Sequence, residues 1–178
     1  MTMEPQPGWN RVHTFRTPLD VCSYLPNETM QLEVRYLFTI DQDEYGRLLS
    51  EGWRRQGVSF FRPTCPACDK CRSLRVVVEQ FKPSKSQRRI WRKNSDVRIE
   101  IGEPTFSSRH LEIFDAYHRD MQQRRGWDYH CITAEMYMEL FLSGNFEFAK
   151  EFRYFRQVEL LGVGLVDVTD TCSSSVYF

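Results

Sequence analysis

The sequence contains no apolar run of the roughly 18 residues that a helix needs to cross a bilayer. Its first ten residues, MTMEPQPGWN, lack the charged and then apolar pattern of a secretory signal. Internal repeats and low-complexity segments are absent as well. These absences exclude a membrane-spanning helix and a repeat protein, and they predict a cytoplasmic protein with no membrane partner.

Net charge is also lacking, because 24 Lys and Arg balance 24 Asp and Glu. A balance of zero by itself neither favours nor opposes a polyanionic partner. The charges are unevenly placed, however: residues 47–93 hold thirteen basic residues and three acidic ones, between two acidic flanks. We therefore expect one localised basic surface on a neutral protein.

What the sequence does contain is enough apolar material for a core, since 41% of its 178 residues are hydrophobic. Alternating apolar residues predict strands at 31–38, 58–62, 74–80, 97–101, 148–157, 160–168 and 174–178. Helices are predicted to begin at the caps Asp41, Ser84, Ser107 or Ser108, and Thr133, and to end near Gly52, Asn94, Gly126 and Gly144. This mixture predicts an α+β fold.

The last predicted strand, within SSSVYF, is followed by no turn and no polar tail. An unpaired apolar strand at the edge of a sheet is an aggregation hazard. We therefore expect that the sequence is a fragment, or that another chain covers this edge.

Three cysteines are clustered in Cys65-Pro-Ala-Cys68-Asp-Lys-Cys71, at two-residue gaps that allow the three thiols to face one centre. In a reducing compartment such a cluster favours metal binding over disulfides. Zinc and iron–sulfur sites both need a further ligand, for which Cys22 is the candidate. The spacing does not choose between zinc, an iron–sulfur cluster and free thiols.

The segment Lys82 to Lys93 (KPSKSQRRIWRK) carries six basic residues, no acidic one, and Trp91. Cations neutralise phosphates and an aromatic ring can stack on a base, so this helix suits an RNA partner. A solvated basic face is the simpler alternative. The concentration of positive charge in the middle of a neutral chain favours the polyanion site.

A glycine pair and the histidines are two further features that bear on chemistry. Gly162-Val-Gly164 lies inside an apolar strand and is not followed by a helix, so it fails as a dinucleotide motif and predicts a bulge or a close backbone approach. Among the four histidines, His118 is the catalytic candidate because it shares a predicted helix with Tyr117 and Arg119.

Taken in chain order, these motifs resemble the arginyltransferase family, and specifically its bacterial branch, the aspartate/glutamate leucyltransferases. The resemblance covers nearly the whole chain. The segments that carry it are Cys22-Ser-Tyr24-Leu25-Pro26, Gly52-Trp-Arg54-Arg55-Gln-Gly57, Phe61-Arg62-Pro63, Arg72-Ser-Leu74-Arg75-Val76, Phe81 to Asn94, Tyr117-His-Arg119, and Leu161 to Phe178.

The resemblance implies an N-terminal cysteine-bearing lobe (1–80) followed by a GNAT-like acyltransferase lobe (81–178) that is incomplete at its C-terminus. It implies transfer of leucine or arginine from charged tRNA to the N-terminal amine of proteins beginning with Asp or Glu, which feeds N-end-rule degradation. The transfer requires no cofactor, because the aminoacyl ester is already activated.

The residues that match the family's motifs are the expected substrate-binding residues. They are Arg54, Arg55, Arg75, Ser86, Gln87, Arg88, Arg89, Asn94, Tyr117 and Arg119. The incoming amine must also lose a proton, for which Asp167 is a candidate base alongside His118. A strand-end carboxylate without a catalytic role is an equal interpretation of Asp167.

The sequence leaves two other classes of function open. A coenzyme A-dependent acetyltransferase of the GNAT type would need Arg or Gln at the start of its pyrophosphate loop, where this chain has Glu159. A metal-and-RNA-binding module without catalysis would bind charged and uncharged tRNA equally.

Overall fold

The computed structural model describes residues 13–129 and 131–178. The first ten residues of the chain, on which the prediction of no secretory signal rests, lie outside this part. The strands are β1 (His13–Arg16), β2 (Asp20–Val21), β3 (Thr29–Met30), β4 (Leu32–Tyr36), β5 (Arg54–Gln56), β6 (Ser59–Pro63), β7 (Val97–Gly102), β8 (Ala149–Arg156), β9 (Glu159–Val168) and β10 (Ser173–Tyr177). The α-helices are α1 (Gln42–Ser50), α2 (Lys85–Lys93), α3 (Ser108–Arg125) and α4 (Ala134–Tyr137). The predicted α+β class is confirmed.

Helix α1 forms where the capping pattern predicted it. The Asp41 carboxylate accepts a hydrogen bond from the Glu44 amide at 2.8 Å and so satisfies a free donor of the first turn. Tyr45, Leu48 and Leu49 are buried on one face. The chain leaves the helix through Gly52, whose φ of +88° favours glycine.

The first sheet has the order β1-β4-β6-β5 and is antiparallel. Trp53 and Phe60 are fully buried between this sheet and α1. The same core also takes Phe146 and Phe148 from much later in the chain, and the Phe148 ring stacks on Tyr45 with centroids 4.2 Å apart. The first core is therefore completed by residues from beyond residue 80.

The second sheet has the order β10-β9-β8-β7 and is also antiparallel. A second core lies between this sheet and the helices, and its buried members are Tyr137, Phe141 and Leu165. Phe114 of α3 packs against them. A separate two-stranded sheet joins β2 to β3.

Two predicted elements differ from the structure. Residues 74–80, predicted to be a strand, are irregular except for a short 3₁₀ turn at Val78–Gln80. The alternating apolar residues were misleading because residues 71–81 are all exposed, and no other strand of the described chain pairs with them. The predicted helix after Thr133 begins as expected, but α4 passes after four residues into a π-helical stretch, Met138–Leu142.

Within the described residues, no helix is both long enough and apolar enough to cross a membrane.

Candidate functional site

Helix α2 is the core of the basic surface, and its start is built by a capping box. The Ser84 hydroxyl accepts from the Gln87 amide at 3.3 Å, while the Gln87 side chain accepts from the Ser84 amide at 2.8 Å. The predicted cap is confirmed in both halves. Because Gln87 is used for this bond, the structure gives it a role in starting the helix.

Every residue of α2 is exposed, including Trp91, which is 80% exposed. In the described part of the chain, no carboxylate lies within ion-pair distance of the α2 cations, although twelve ion pairs form elsewhere. The cations of α2 are Lys85, Arg88, Arg89, Arg92 and Lys93. The helix therefore presents uncompensated positive charge to solvent.

The neighbouring arginines Arg54 and Arg55 have different surroundings. The Arg54 side chain is partly exposed and donates to the Trp53 carbonyl at 2.8 Å. The Arg55 guanidinium is buried and donates through Nε to Asp167 Oδ2 at 3.0 Å, and through Nη2 to the other Asp167 oxygen. Alternation along β5 sends the two side chains to opposite faces.

Asp167 is 1% exposed, and both of its carboxylate oxygens are occupied. Besides Arg55, it accepts the Tyr45 hydroxyl at 2.5 Å. Burial first, and then the Asp167 charge, raises the pKa of Tyr45 well above its ordinary value. An incoming amine would have to displace one of these donors, so the arrangement favours a structural role for Asp167 and for Arg55. The role of Asp167 as a base stays a prediction.

A cavity of about 840 Å³ lies between α3, the second sheet and the end of α2. Most of its wall is apolar or aromatic, and Trp91, Tyr117, Tyr154, Leu161 and Phe178 contribute to it. Asn94 of the basic segment is also on the wall, together with the charged side chains Arg109, Glu112 and Asp120. The cavity is thus an apolar chamber with a basic helix at its edge.

His118 contacts Tyr177, and Tyr177 is part of the wall of this chamber. His118 Nε2 and the Tyr177 hydroxyl are 2.6 Å apart. Burial lowers the pKa of His118, so the imidazole is neutral near pH 7. Burial also raises the pKa of Tyr177. In the sequence, Tyr177 belongs to the strand motif that ends at Phe178, and nothing in that motif indicates its contact with His118.

The other predicted binding residues are scattered around this region. Arg75 donates to the carbonyls of Leu49 and Ser50 at 3.0 and 2.9 Å, so it closes the end of α1. Arg119 is paired with Asp115 at 2.8 Å. The Ser86 hydroxyl lies 3.0 Å from that of Ser84. Of the ten predicted binding residues, Asn94 and Tyr117 are the ones on the cavity wall.

The cysteine loop brings Cys22 close to the other three predicted thiols. The pKa of Cys71 is raised, first by burial and then by the charges of Cys65, Cys22 and Cys68. In the described chain, however, no three His, Cys, Asp or Glu side chains are arranged as a metal site. The chemistry of four neighbouring thiols is of the kind that zinc or an iron–sulfur cluster takes.

Fold and site together define an α+β protein in which the basic helix α2, without ion-pair partners in the described part of the chain, lies at the edge of an apolar cavity. The family described as arginine-tRNA-protein transferase, N terminus, matches residues 20–89. An aspartate/glutamate leucyltransferase of Helicobacter hepaticus is 35% identical over 168 residues, which cover 94% of this chain and 70% of the relative. Those of Campylobacter jejuni and Marinobacter nauticus are 32% and 31% identical, and each match covers 92% of this chain and 68% of the relative.

The chain belongs to the arginine-tRNA-protein transferase family, among the aspartate/glutamate leucyltransferases. The family predicted from the ordered motifs is thereby confirmed. The chain spans about 70% of the length of its Helicobacter hepaticus relative.

Proposed function

We propose that this protein transfers an aminoacyl group, leucine in the first instance, from charged tRNA to the N-terminal amine of proteins that begin with Asp or Glu. The observation that carries the proposal is the position of α2 at the edge of the apolar cavity: it is an exposed helix whose five cations have no carboxylate partner among residues 13–129 and 131–178. The names of the relatives supply the leucyl group and the two acceptor residues.

The tRNA acceptor end is the partner that this helix suits. Five cations on one short helix can neutralise successive phosphates, and Trp91 is exposed for stacking on an unpaired base. Trp91 also lies on the cavity wall, so a terminal base stacked on it would place its ester near the chamber. In this scheme Arg88 and Arg89 hold the phosphate backbone, and Arg54, partly exposed on β5, is a further candidate.

The leucyl side chain is the group that the cavity suits. Its wall is formed largely by aromatic and aliphatic side chains such as Tyr154, Leu161 and Phe178. Burying an apolar side chain there is favourable by about 1.5–3 kcal/mol. An arginyl side chain would have to bring its charge into the same surroundings, so leucine is favoured over arginine.

The proton of the attacking amine would leave through Tyr177 and His118. The amine nitrogen forms a bond to the ester carbonyl carbon, and the bond to the tRNA oxygen breaks. Because His118 is neutral near pH 7 and lies 2.6 Å from the Tyr177 hydroxyl, it can take the proton that this hydroxyl passes on. The tRNA oxygen takes this proton from His118, again through Tyr177, and leaves as a free hydroxyl, so His118 is neutral again.

The two-lobe description belongs to the proposal as well. The first lobe, 1–80, would carry the cysteine loop, where Cys22, Cys65, Cys68 and Cys71 would hold zinc or an iron–sulfur cluster that stiffens the loop. The second lobe, 81–178, would be GNAT-like, with its central sheet formed by β7 to β10. Transfer itself needs no cofactor in this scheme.

The direct test uses this chain with leucyl-tRNA labelled in the amino acid and two peptides that differ only in beginning with Glu or Gln. We expect label in the Glu peptide and release of an equal amount of uncharged tRNA. Acetyl-coenzyme A in place of the tRNA is the control for acetyl transfer. Label in neither peptide, with charged and uncharged tRNA bound equally, would instead identify a binding module without catalysis.

A further inference from the structure

One buried carboxylate, Glu151, takes no part in the proposed transfer. Glu151 lies in the middle of β8 and is fully buried. It accepts hydrogen bonds from the Thr105 amide at 3.1 Å and from the Thr105 hydroxyl at 2.9 Å. Arg153 Nε lies 3.5 Å from one of its oxygens. Burial alone would raise the pKa of this carboxyl, but the contacts of His110 and Thr105 outweigh it and hold that pKa below its ordinary value.

The ionised Glu151 faces a buried histidine. His110 Nε2 lies 3.3 Å from Glu151 Oε2, a distance within the range of an ion pair, although no aligned hydrogen bond forms there. Phe106 and Tyr137 border the imidazole with ring centroids 6.5 and 6.0 Å away. The ring is therefore enclosed in apolar surroundings with one carboxylate beside it.

The other nitrogen of this ring contacts an exposed serine. Ser107 Oγ lies 2.8 Å from His110 Nδ1. Ser107 is the N-cap residue of α3, where a serine hydroxyl ordinarily accepts from a helix amide, but its side chain makes no such bond. With Nε2 protonated toward the carboxylate, Nδ1 is the acceptor for the serine hydroxyl.

From this arrangement we infer that Ser107, His110 and Glu151 form an acyl-accepting site, in which Ser107 is a nucleophile toward carboxylic esters with a small apolar acyl group. The Ser107 oxygen attacks the ester carbonyl, and its proton moves to His110 Nδ1. The bond to the ester oxygen breaks, and the leaving alkoxide takes that proton and departs as an alcohol. Water, deprotonated by the same imidazole, then attacks the acyl carbon. The bond to Ser107 Oγ breaks, this oxygen takes the proton back from His110, and the acyl group leaves as a carboxylic acid.

The roles of the three residues follow from their contacts. Ser107 is exposed and so is accessible to an ester, and His110, in contact with its hydroxyl, is the group that would move the proton. Glu151, 3.3 Å from Nε2, is a positioning residue that stabilises the positive charge of the imidazole while the proton is on it. His110 also lines the cavity, so the apolar chamber is next to the site. Nothing in this inference depends on tRNA or on the transfer proposed above.

The test uses a fluorophosphonate probe, which labels activated serines, followed by identification of the labelled residue by mass spectrometry. We expect one label per chain, on Ser107. Ser107→Ala should lose it, whereas Ser108→Ala, an exposed serine at the next position, should keep it. Label on neither serine, or equal labelling of Ser107→Ala and wild type, overturns the inference and leaves the three residues as a network that fixes the start of α3.

A second measurement follows release of nitrophenol from p-nitrophenyl butyrate. The cysteines also react with such esters, but they are the same in wild type and in Ser107→Ala, so the difference isolates Ser107. We expect His110→Gln to slow the Ser107-dependent phase by about 100-fold or more. Glu151→Gln should slow it and move the rising limb of its pH profile to lower pH, which a purely structural carboxylate would not do. An unchanged pH profile would remove Glu151 from the scheme. Failure of this assay with intact leucyl transfer would reject the serine site alone.

Discussion

At the scale of single residues, the buried charges of Arg55 and Asp167 are satisfied by each other and by neighbouring polar groups. Asp167 takes two bonds from Arg55 and one from Tyr45, and the remaining Arg55 nitrogen donates to the Gly57 carbonyl at 2.9 Å. Removing water from two charges is unfavourable, so such a pair is stable only when its geometry satisfies both groups. The pair therefore makes Asp167 sensitive to substitution for a reason that has nothing to do with catalysis.

Asp167→Asn should leave the Arg55 charge buried without a partner. We expect the free energy of unfolding to fall by about 3–5 kcal/mol, measured by urea denaturation. The control is Asp170→Asn, an exposed carboxylate whose one side-chain donor among the described residues is Gln42, for which the change should stay within about 0.5 kcal/mol. If Asp167 were instead the base of the transfer reaction, Asp167→Asn would remain stable and lose transfer, and the structural role would be wrong.

Glu151 predicts a pH dependence of stability. Because its folded pKa lies below the ordinary value of about 4.3, the unfolded chain binds its proton first as the pH falls. The contribution of Glu151 is thus fully present above about pH 4.3 and is lost as the pH falls through the folded pKa. The difference in free energy of unfolding between wild type and Glu151→Gln should therefore shrink below about pH 4.3.

Urea titrations between about pH 3 and pH 7 measure this difference. Glu147→Gln is the matched control, because Glu147 is exposed and has no ion-pair partner among the described residues. A wild-type advantage over Glu151→Gln that stays constant across this range would show that the carboxyl gains nothing from His110 and Thr105.

At the scale of elements, α2 shows what its sequence could and could not reveal. The Ser84 and Gln87 spacing predicted the start of the helix, because both halves of a capping box lie within one turn and need no distant partner. The residues just before it, 74–80, were wrongly predicted as a strand. A strand needs a partner, and partners are set by the rest of the fold, which a local alternation of apolar residues does not describe.

The candidate site follows the same rule. The basic surface was predicted because its cations cluster along the chain. Cys22 was predicted near the cysteine loop because a metal site there would need a fourth ligand, and the structure places it near the other thiols. The Arg55 contact with Asp167, the Tyr177 contact with His118 and the Ser107 network were not predicted. The Arg55 and Tyr177 contacts, and the approach of Glu151 to His110 in the Ser107 network, join elements that pack on one another, and no spacing in the sequence encodes which faces meet.

The composition of α2 predicts that its cations and its aromatic ring affect the salt dependence of tRNA binding differently. Arg89→Ala should weaken binding and reduce the slope of log affinity against log salt by roughly 1, because one phosphate contact is lost. Trp91→Ala should weaken binding by about 1–3 kcal/mol at every salt concentration with the slope unchanged, because stacking releases no counterions. Filter binding at several KCl concentrations measures both.

The control for this pair of variants is Arg124→Ala. Arg124 is exposed like Arg89 but is paired with Asp120 on α3. Its loss should leave affinity and slope nearly unchanged. Equal effects of Arg124→Ala and Arg89→Ala would mean that tRNA responds to overall charge and that α2 is not its binding element.

At the scale of the whole molecule, the first core joins distant parts of the chain. Tyr45, Trp53 and Phe60 precede the proposed lobe boundary at residue 80, whereas Phe146 and Phe148 follow it. The buried Arg55 and Asp167 pair crosses the same boundary. A domain that folds alone has its own core, so these contacts predict that the two sheets unfold together.

Phe148→Ala tests this coupling. Loss of the ring leaves a cavity against Tyr45 and Phe146, so we expect the free energy of unfolding to fall by about 3–5 kcal/mol. Hydrogen exchange measured by mass spectrometry should show the same loss of protection in peptides from β4 to β6 and in peptides from β8 to β9. Val158→Ala, in the 93% exposed turn position between β8 and β9, should change neither. If Phe148→Ala opens the first sheet and leaves β8 and β9 protected, the sheets are independent and the lobe boundary at residue 80 is also a boundary in folding.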